Sequence, residues 1–137
     1  MMYARFTVAY WCVLAAALLP LMCSWLAKFD GFGKPRSQGG FDNAEPRAWL
    51  AQQEGWKARA NSAQANSFEA LPFFIGAIII AHLLGAPQTR LDILAVLFIT
   101  LRIIYIVMYV ANLPKARSAF WALAFVCNVA IFFSGWR

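Results

Sequence analysis

The chain has 137 residues, of which 62% are hydrophobic and only 13% charged, with a formal net charge of +6. Soluble domains sit nearer half apolar and a quarter charged, so the composition argues against a water-soluble globule. It argues equally against disorder, for which it is too apolar, and against a disulfide scaffold, for which three cysteines are too few. The basic residues cluster in two loops beside apolar runs rather than along a nucleic-acid-binding face. The chain therefore reads as a small all-α multi-pass membrane protein with no nucleic-acid partner.

Four stretches approach the roughly 20 apolar residues that a bilayer requires. The first, Phe6 to Ala27, carries no charge. It exceeds a signal h-region, no small-x-small cleavage site follows it, and Cys23 is preceded by Pro-Leu-Met rather than by the small residue of a lipoprotein signal. A retained helix over about residues 4–28 is predicted. Residues 29–55 form a polar loop, in which Asp42 or Asn43 as cap, Glu45 and Pro46 predict a short interfacial helix over about 44–53. Trp49 is expected there at headgroup level, and Gly55 marks the break before the next span.

The second span, about 56–85, is interrupted in its apolar stretch from Ala60 onward by only one acid, Glu69, and one histidine, His82. The third, about 90–111, contains one cation, Arg102, and starts at a Thr89/Asp92 cap. Asn112 and Pro114 predict the turn into the fourth, about 115–135, which is uncharged from Ser118 onward up to Trp136. Together the four helices make one integral membrane domain, 1–137. Cys12, Cys23 and Cys127 lie inside apolar runs with no metal-ligand spacing and read as small buried or lipid-facing thiols.

Cations set the orientation. Lys28, Lys34, Arg36, Arg47, Lys57, Arg59, Lys115 and Arg117 fall on one side, and Arg5, Arg90 and Arg137 on the other. The positive-inside rule places the long loop and the last turn in the cytoplasm and both termini outside.

Polar residues inside the spans are costly and point to function. Arg59, Ser62, Asn66, Glu69 and Phe73 recur at helical steps, so they share one face, which should point into protein. Arg102, Tyr105, Tyr109 and Asn112 make a second stripe. Glu69 and Arg102 are expected to pair, within or between subunits, either as a register-fixing contact or as part of a site. Pro72, one turn after Glu69, is expected to kink its helix. Arg117 and Ser118 stand at a helix start, where a guanidinium and free backbone donors suit either an anionic ligand or a lipid phosphate. His82, near the outer end, reads as interfacial. The chain carries no phosphate loop, nucleophile elbow, Cys/His cluster or paired carboxylates, so any chemistry must be borne by a ligand.

The stretch Gly55 to Phe74, GWKARANSAQANSFEALPFF, resembles the second-helix signature of the MAPEG superfamily, the membrane-associated proteins of eicosanoid and glutathione metabolism. Arg59, Asn66, Glu69, Pro72 and Phe73 stand at matching spacing, as do Arg102, Tyr105, Tyr109 and the Arg117-Ser118 pair. The resemblance covers essentially the whole chain and is closest to the small bacterial branch of the family. It implies a homotrimer of four-helix subunits that binds glutathione as co-substrate near the cytoplasmic face, with lipophilic small molecules entering from the bilayer. It also implies that Asn66 and Glu69 hold the peptide or its amino end, with Arg59 at the same site and Tyr105 and Tyr109 lining it. Arg117 would stabilise the thiolate, with Ser118 beside it. One departure bears on activity. Ser62-Ala63-Gln64-Ala65 replaces the family's Arg-Ala-His-Arg, removing two cations for glutathione carboxylates unless Arg59 or Lys57 substitutes.

The expected function is a glutathione-dependent transferase or peroxidase acting on lipophilic electrophiles or lipid hydroperoxides in a bacterial inner (plasma) membrane, with periplasmic termini. The alternative is a non-catalytic trimer that binds lipid or another anionic metabolite. A proton- or drug-coupled transporter using Glu69 ranks third, since the halves show no repeat.

Overall fold

A computed structural model of the chain describes residues 5–137, and among them every regular element is helical. In chain order these are α1 (Val8–Lys28), two short 3-10 turns at Phe29–Gly31 and Arg36–Gln38, α2 (Pro46–Ala51), α3 (Gly55–Leu83), α4 (Gln88–Val110) and α5 (Pro114–Phe133). Helices α1, α3, α4 and α5 are each long and apolar enough to cross a membrane. They alternate in direction, so the 29–54 loop and the α4–α5 turn share one end, called here the loop end. Thr7 and the α3–α4 turn share the far end. At 1.5 Å per residue α3 is about 44 Å long against a hydrocarbon core of about 30 Å, so one end must emerge from the hydrocarbon.

The seam between α1 and α3 is built from small side chains. Ala9, Cys12, Ala16, Cys23 and Ala27 of α1 are buried, as are Ala60, Ala63, Ser67, Ala77 and Ala81 of α3. In lipid, where no hydrophobic force separates helix from solvent, small residues let backbones approach and gain dispersion contact. Phe74 and Phe98 stack with ring centroids 4.3 Å apart to join α3 to α4, and Leu91, Ala95, Ala124 and Ile131 complete the core with α5.

The helix ends explain the boundaries. Thr7 caps α1 by accepting from the Tyr10 N–H, so the helix begins at Val8 rather than near residue 4, which itself lies outside the described residues. Helices α3 and α4 both end in the two-bond reversal that a left-handed residue permits. Gly85 (φ 67°) follows α3, with Ala86 donating to Ala81 and Gly85 to His82; Asn112 (φ 60°) follows α4, with Leu113 donating to Met108 and Asn112 to Tyr109. Pro114 then opens α5. The predicted Asn112/Pro114 turn is thus present. The Thr89/Asp92 cap is not, because α4 starts earlier, at Gln88. Asp92 instead accepts from the free N–H of Ala9 at 2.9 Å and from Gln88, stabilising the start of α1. His82 stacks on Tyr10 (4.1 Å) with Nδ1 2.8 Å from the Ile78 carbonyl and Nε2 3.1 Å from the Thr7 hydroxyl. It works as a clasp between α1 and α3.

The loop end has its own small core of Ala27, Trp49, Leu50 and Ala60. Trp49, expected at headgroup level, is buried in this core, edge-on to Phe41 and over Gly31, where a Cβ would lie 2.7 Å from the indole. The short helix is correspondingly smaller than 44–53, spanning Pro46–Ala51 with Glu45 in the capping position. Lys57 reaches back from α3 to Asp30 at 2.8 Å, and Arg36 pairs with Asp42.

Candidate functional site

Helix α3 turns its small residues toward α1, and this leaves its polar stripe, one position around the helix, on the side of α5. The stripe stays outside the core of the subunit. Glu69 and Ser62 are exposed and Asn66 half-buried, and they form one wall of an open cleft. The opposite wall comes from the last turns of α4 and the first turns of α5, which the short Asn112/Pro114 turn holds together. The cleft, about 410 Å³, is lined by Ser62, Asn66, Glu69, Tyr105, Tyr109, Arg117, Ser118 and Trp121.

The orientation of Arg117 has a definite cause. Its guanidinium lies over the Tyr109 ring, 4.4 Å from the centroid, and Tyr109 meets Tyr105 edge-on at 5.8 Å. Tyr105 in turn carries the Arg102 guanidinium on its face at 4.2 Å. A cation on an aromatic face keeps most of its N–H groups free for a ligand while losing conformational freedom. Across the cleft, Asn66 approaches Glu69 at 3.5 Å, and the Asn66 carbonyl has no partner. An unpartnered buried amide is a cost that a ligand donor relieves once the amide turns toward it. The wall pairs one carboxylate with one guanidinium, which suits a ligand carrying both an ammonium and an anionic group. Among the described residues the cleft offers no second cation.

Arg59 and Arg102 have other partners within the subunit than those expected. Arg59 is not in the cleft: its Nε donates to the Val110 carbonyl at 3.0 Å, satisfying one of the last carbonyls of α4 that have no partner within the helix. Lys57, the other candidate substitute cation, is held by Asp30. Nor do Glu69 and Arg102 pair within the chain. Arg102, 3% exposed, donates to Ser67 at 3.3 Å, and no carboxylate lies within 4.0 Å of it among the described residues. Ser67 lies on the buried face of α3 and Glu69 on its exposed one, so the arginine that enters the core meets the serine. Pro72, where a kink was expected, lies inside α3, which runs unbroken past it from Gly55 to Leu83.

Past Glu69 the cleft narrows into a cavity of about 180 Å³ that shares Asn66, Glu69 and Trp121 and reaches Arg102 and Asn128. Trp121 and Asn128 were not singled out from the sequence. Their signal was present, since Arg117, Trp121, Ala124 and Asn128 recur at steps of four and three on one face of α5.

No curated protein and no solved structure matches the chain. A family model does match, over residues 8–135, which takes in all four spanning helices and every residue of the cleft. Four apolar helices, the α3 polar stripe and the α4–α5 arginine turn all fall within that match: the chain belongs to the MAPEG family.

Proposed function

We propose that the cleft binds glutathione and that the protein is a membrane transferase or peroxidase acting on lipophilic electrophiles or lipid hydroperoxides. The observation that carries this reading is the Arg117 guanidinium held on the Tyr109 ring, facing Glu69 and Asn66 across the cleft. A fixed cation beside a thiol lowers its pKa and raises the thiolate fraction. Glu69 suits the ammonium of the peptide, and Ser118, next to Arg117, adds a hydroxyl. In transfer, the sulfur–carbon bond forms as the leaving group departs with its bonding pair. In peroxide reduction, two thiols become a disulfide while the oxygen–oxygen bond yields alcohol and water.

Assembly as a homotrimer in a bacterial plasma membrane, with both termini outside, belongs to the same reading. A single subunit leaves Glu69 exposed on a membrane-spanning helix, a cost that a neighbouring subunit removes.

A second reading rests on the count of cations. Arg117 is the one basic side chain lining the cleft among the described residues, because Arg59 and Lys57 are engaged elsewhere. Two carboxylates facing one arginine favour a smaller anion, and the chain is then a non-catalytic binder of lipid or an anionic metabolite.

Calorimetry on the detergent-solubilised protein separates the two. Glutathione should bind in the micromolar to low-millimolar range and lose binding in Arg117→Ala. Absence of binding at about 10 mM, a limit of about −2.7 kcal/mol, would leave the second reading standing.

A further inference from the structure

The inner cavity is walled by a cation and an anion with no direct contact between them. Arg102 and Asn128 are each 3% exposed. Arg102 has one hydrogen-bond partner, Ser67, among the described residues, and the Asn128 carbonyl has none. A guanidinium carries five donors, so a buried one with a single neutral acceptor is underused. The remaining wall is aromatic and apolar: Phe73, Phe98 and Phe125 line it, with Trp121 stacked on Phe125 at 5.6 Å.

Size and charge together select the occupant. A cavity of about 180 Å³ is close to the ~150 Å³ that accepts a benzene ring. A glycerophospholipid headgroup is too large for it. An anionic head would satisfy Arg102 but would share the cavity with Glu69, whose repulsion cancels much of the gain. A neutral ring with a carbonyl acceptor meets neither penalty. Its oxygen takes the Arg102 donors, its faces meet the aromatic walls, and a tail leaves toward the bilayer past the exposed Phe125.

We propose that this inner cavity is the electrophile site and that it takes a membrane-soluble quinone or a similar conjugated ring ketone, with Arg102 donating to the carbonyl oxygen. The catalytic part of the proposal rests on the thiol reading above; the binding part does not. Because cleft and cavity share Asn66, Glu69 and Trp121, a thiolate held at Arg117 enters the same space as the ring. Its sulfur adds to the ring carbon β to the carbonyl. The carbon–carbon π pair moves onto the carbonyl oxygen, where Arg102 stabilises the developing charge. The thiol proton ends on that oxygen, and loss of the ring proton to the second oxygen gives the thioether hydroquinone. The ring is reduced by the two electrons that the sulfur addition supplies, and no other reductant is required.

The first test omits thiol. A short-chain alkyl-1,4-benzoquinone is titrated into the protein in nanodiscs, with wild type, Arg102→Met and Ala70→Phe compared by equilibrium binding and by the infrared carbonyl stretch. Ala70 lines the cavity and is half-buried, so the phenyl group fills the space without touching the charge of Arg102. Saturable one-per-subunit binding is expected, with the carbonyl stretch lowered in frequency. Binding should fall at least tenfold in both variants, and the frequency shift should vanish in Arg102→Met. Equal uptake by all three proteins, or displacement by laurate better than by a second quinone, overturns the proposal. Glutathione binding with no quinone binding overturns this site and leaves the thiol reading intact. Quinone binding without glutathione binding does the reverse.

Discussion

At the level of single residues, four cations of α3, α4 and α5 have four different settings. Arg59 closes the end of α4, Lys57 fastens Asp30, Arg102 lines the inner cavity and Arg117 the mouth. The Lys57 contact makes a pH prediction. The hydrogen bond from Lys57 holds the Asp30 carboxyl below its ordinary value of 3.8. A depressed folded value means that the stabilisation is fully present above 3.8 and is lost as pH falls through the lower folded value. The protection of amides 29–50, corrected for intrinsic exchange, should therefore be flat from neutrality down to about pH 5 and should fall only in strong acid. Asp30→Asn should exchange faster at neutral pH and lose that acid step; an unchanged profile in the variant would show the pair to be idle.

At the level of helices, small residues decide how close α1 and α3 come, so enlarging one should be costly. Ala63 is fully buried, and Ala63→Leu is expected to destabilise by about 1–3 kcal/mol through overpacking. The matching change at exposed Ala65 should cost little. Denaturation in mixed micelles reads both, and equal effects would place the seam elsewhere. The same helix shows how far the sequence can be read. Its apolar length marks a span, and its polar residues at steps of three and four mark a face. Periodicity names a face, however, and not the neighbour it meets. Ala60, Ala63 and Ser67 claimed the core, and Glu69 was left in the cleft. Contacts such as Arg59 to Val110, Arg102 to Ser67 and Trp49 over Gly31 join distant segments, and local patterning carries no information about them. The turn at Asn112 and Pro114 was legible because its chemistry is local.

For the whole molecule, the distribution of charge predicts topology. Lys34→Cys in the long loop and Lys115→Cys near the last turn should both react with an impermeant maleimide in inside-out vesicles and resist it in intact cells. The native cysteines are all buried, so background labelling should be low. Labelling of the two positions from opposite sides would contradict the alternating helix order itself.

The short reversal between α4 and α5 has a consequence for how such a protein can change. Tyr109 and Arg117 meet only because the intervening segment fixes the rotation of one helix against the other. One residue inserted into the last turn of α4, between Tyr109 and Val110, would carry the Asn112 reversal about 100° around that helix. Every side chain would be retained, yet α5 could not keep both its packing and Arg117 on the Tyr109 ring. Substitution can adjust this cleft by degrees, whereas a single-codon change of length there removes it at a stroke.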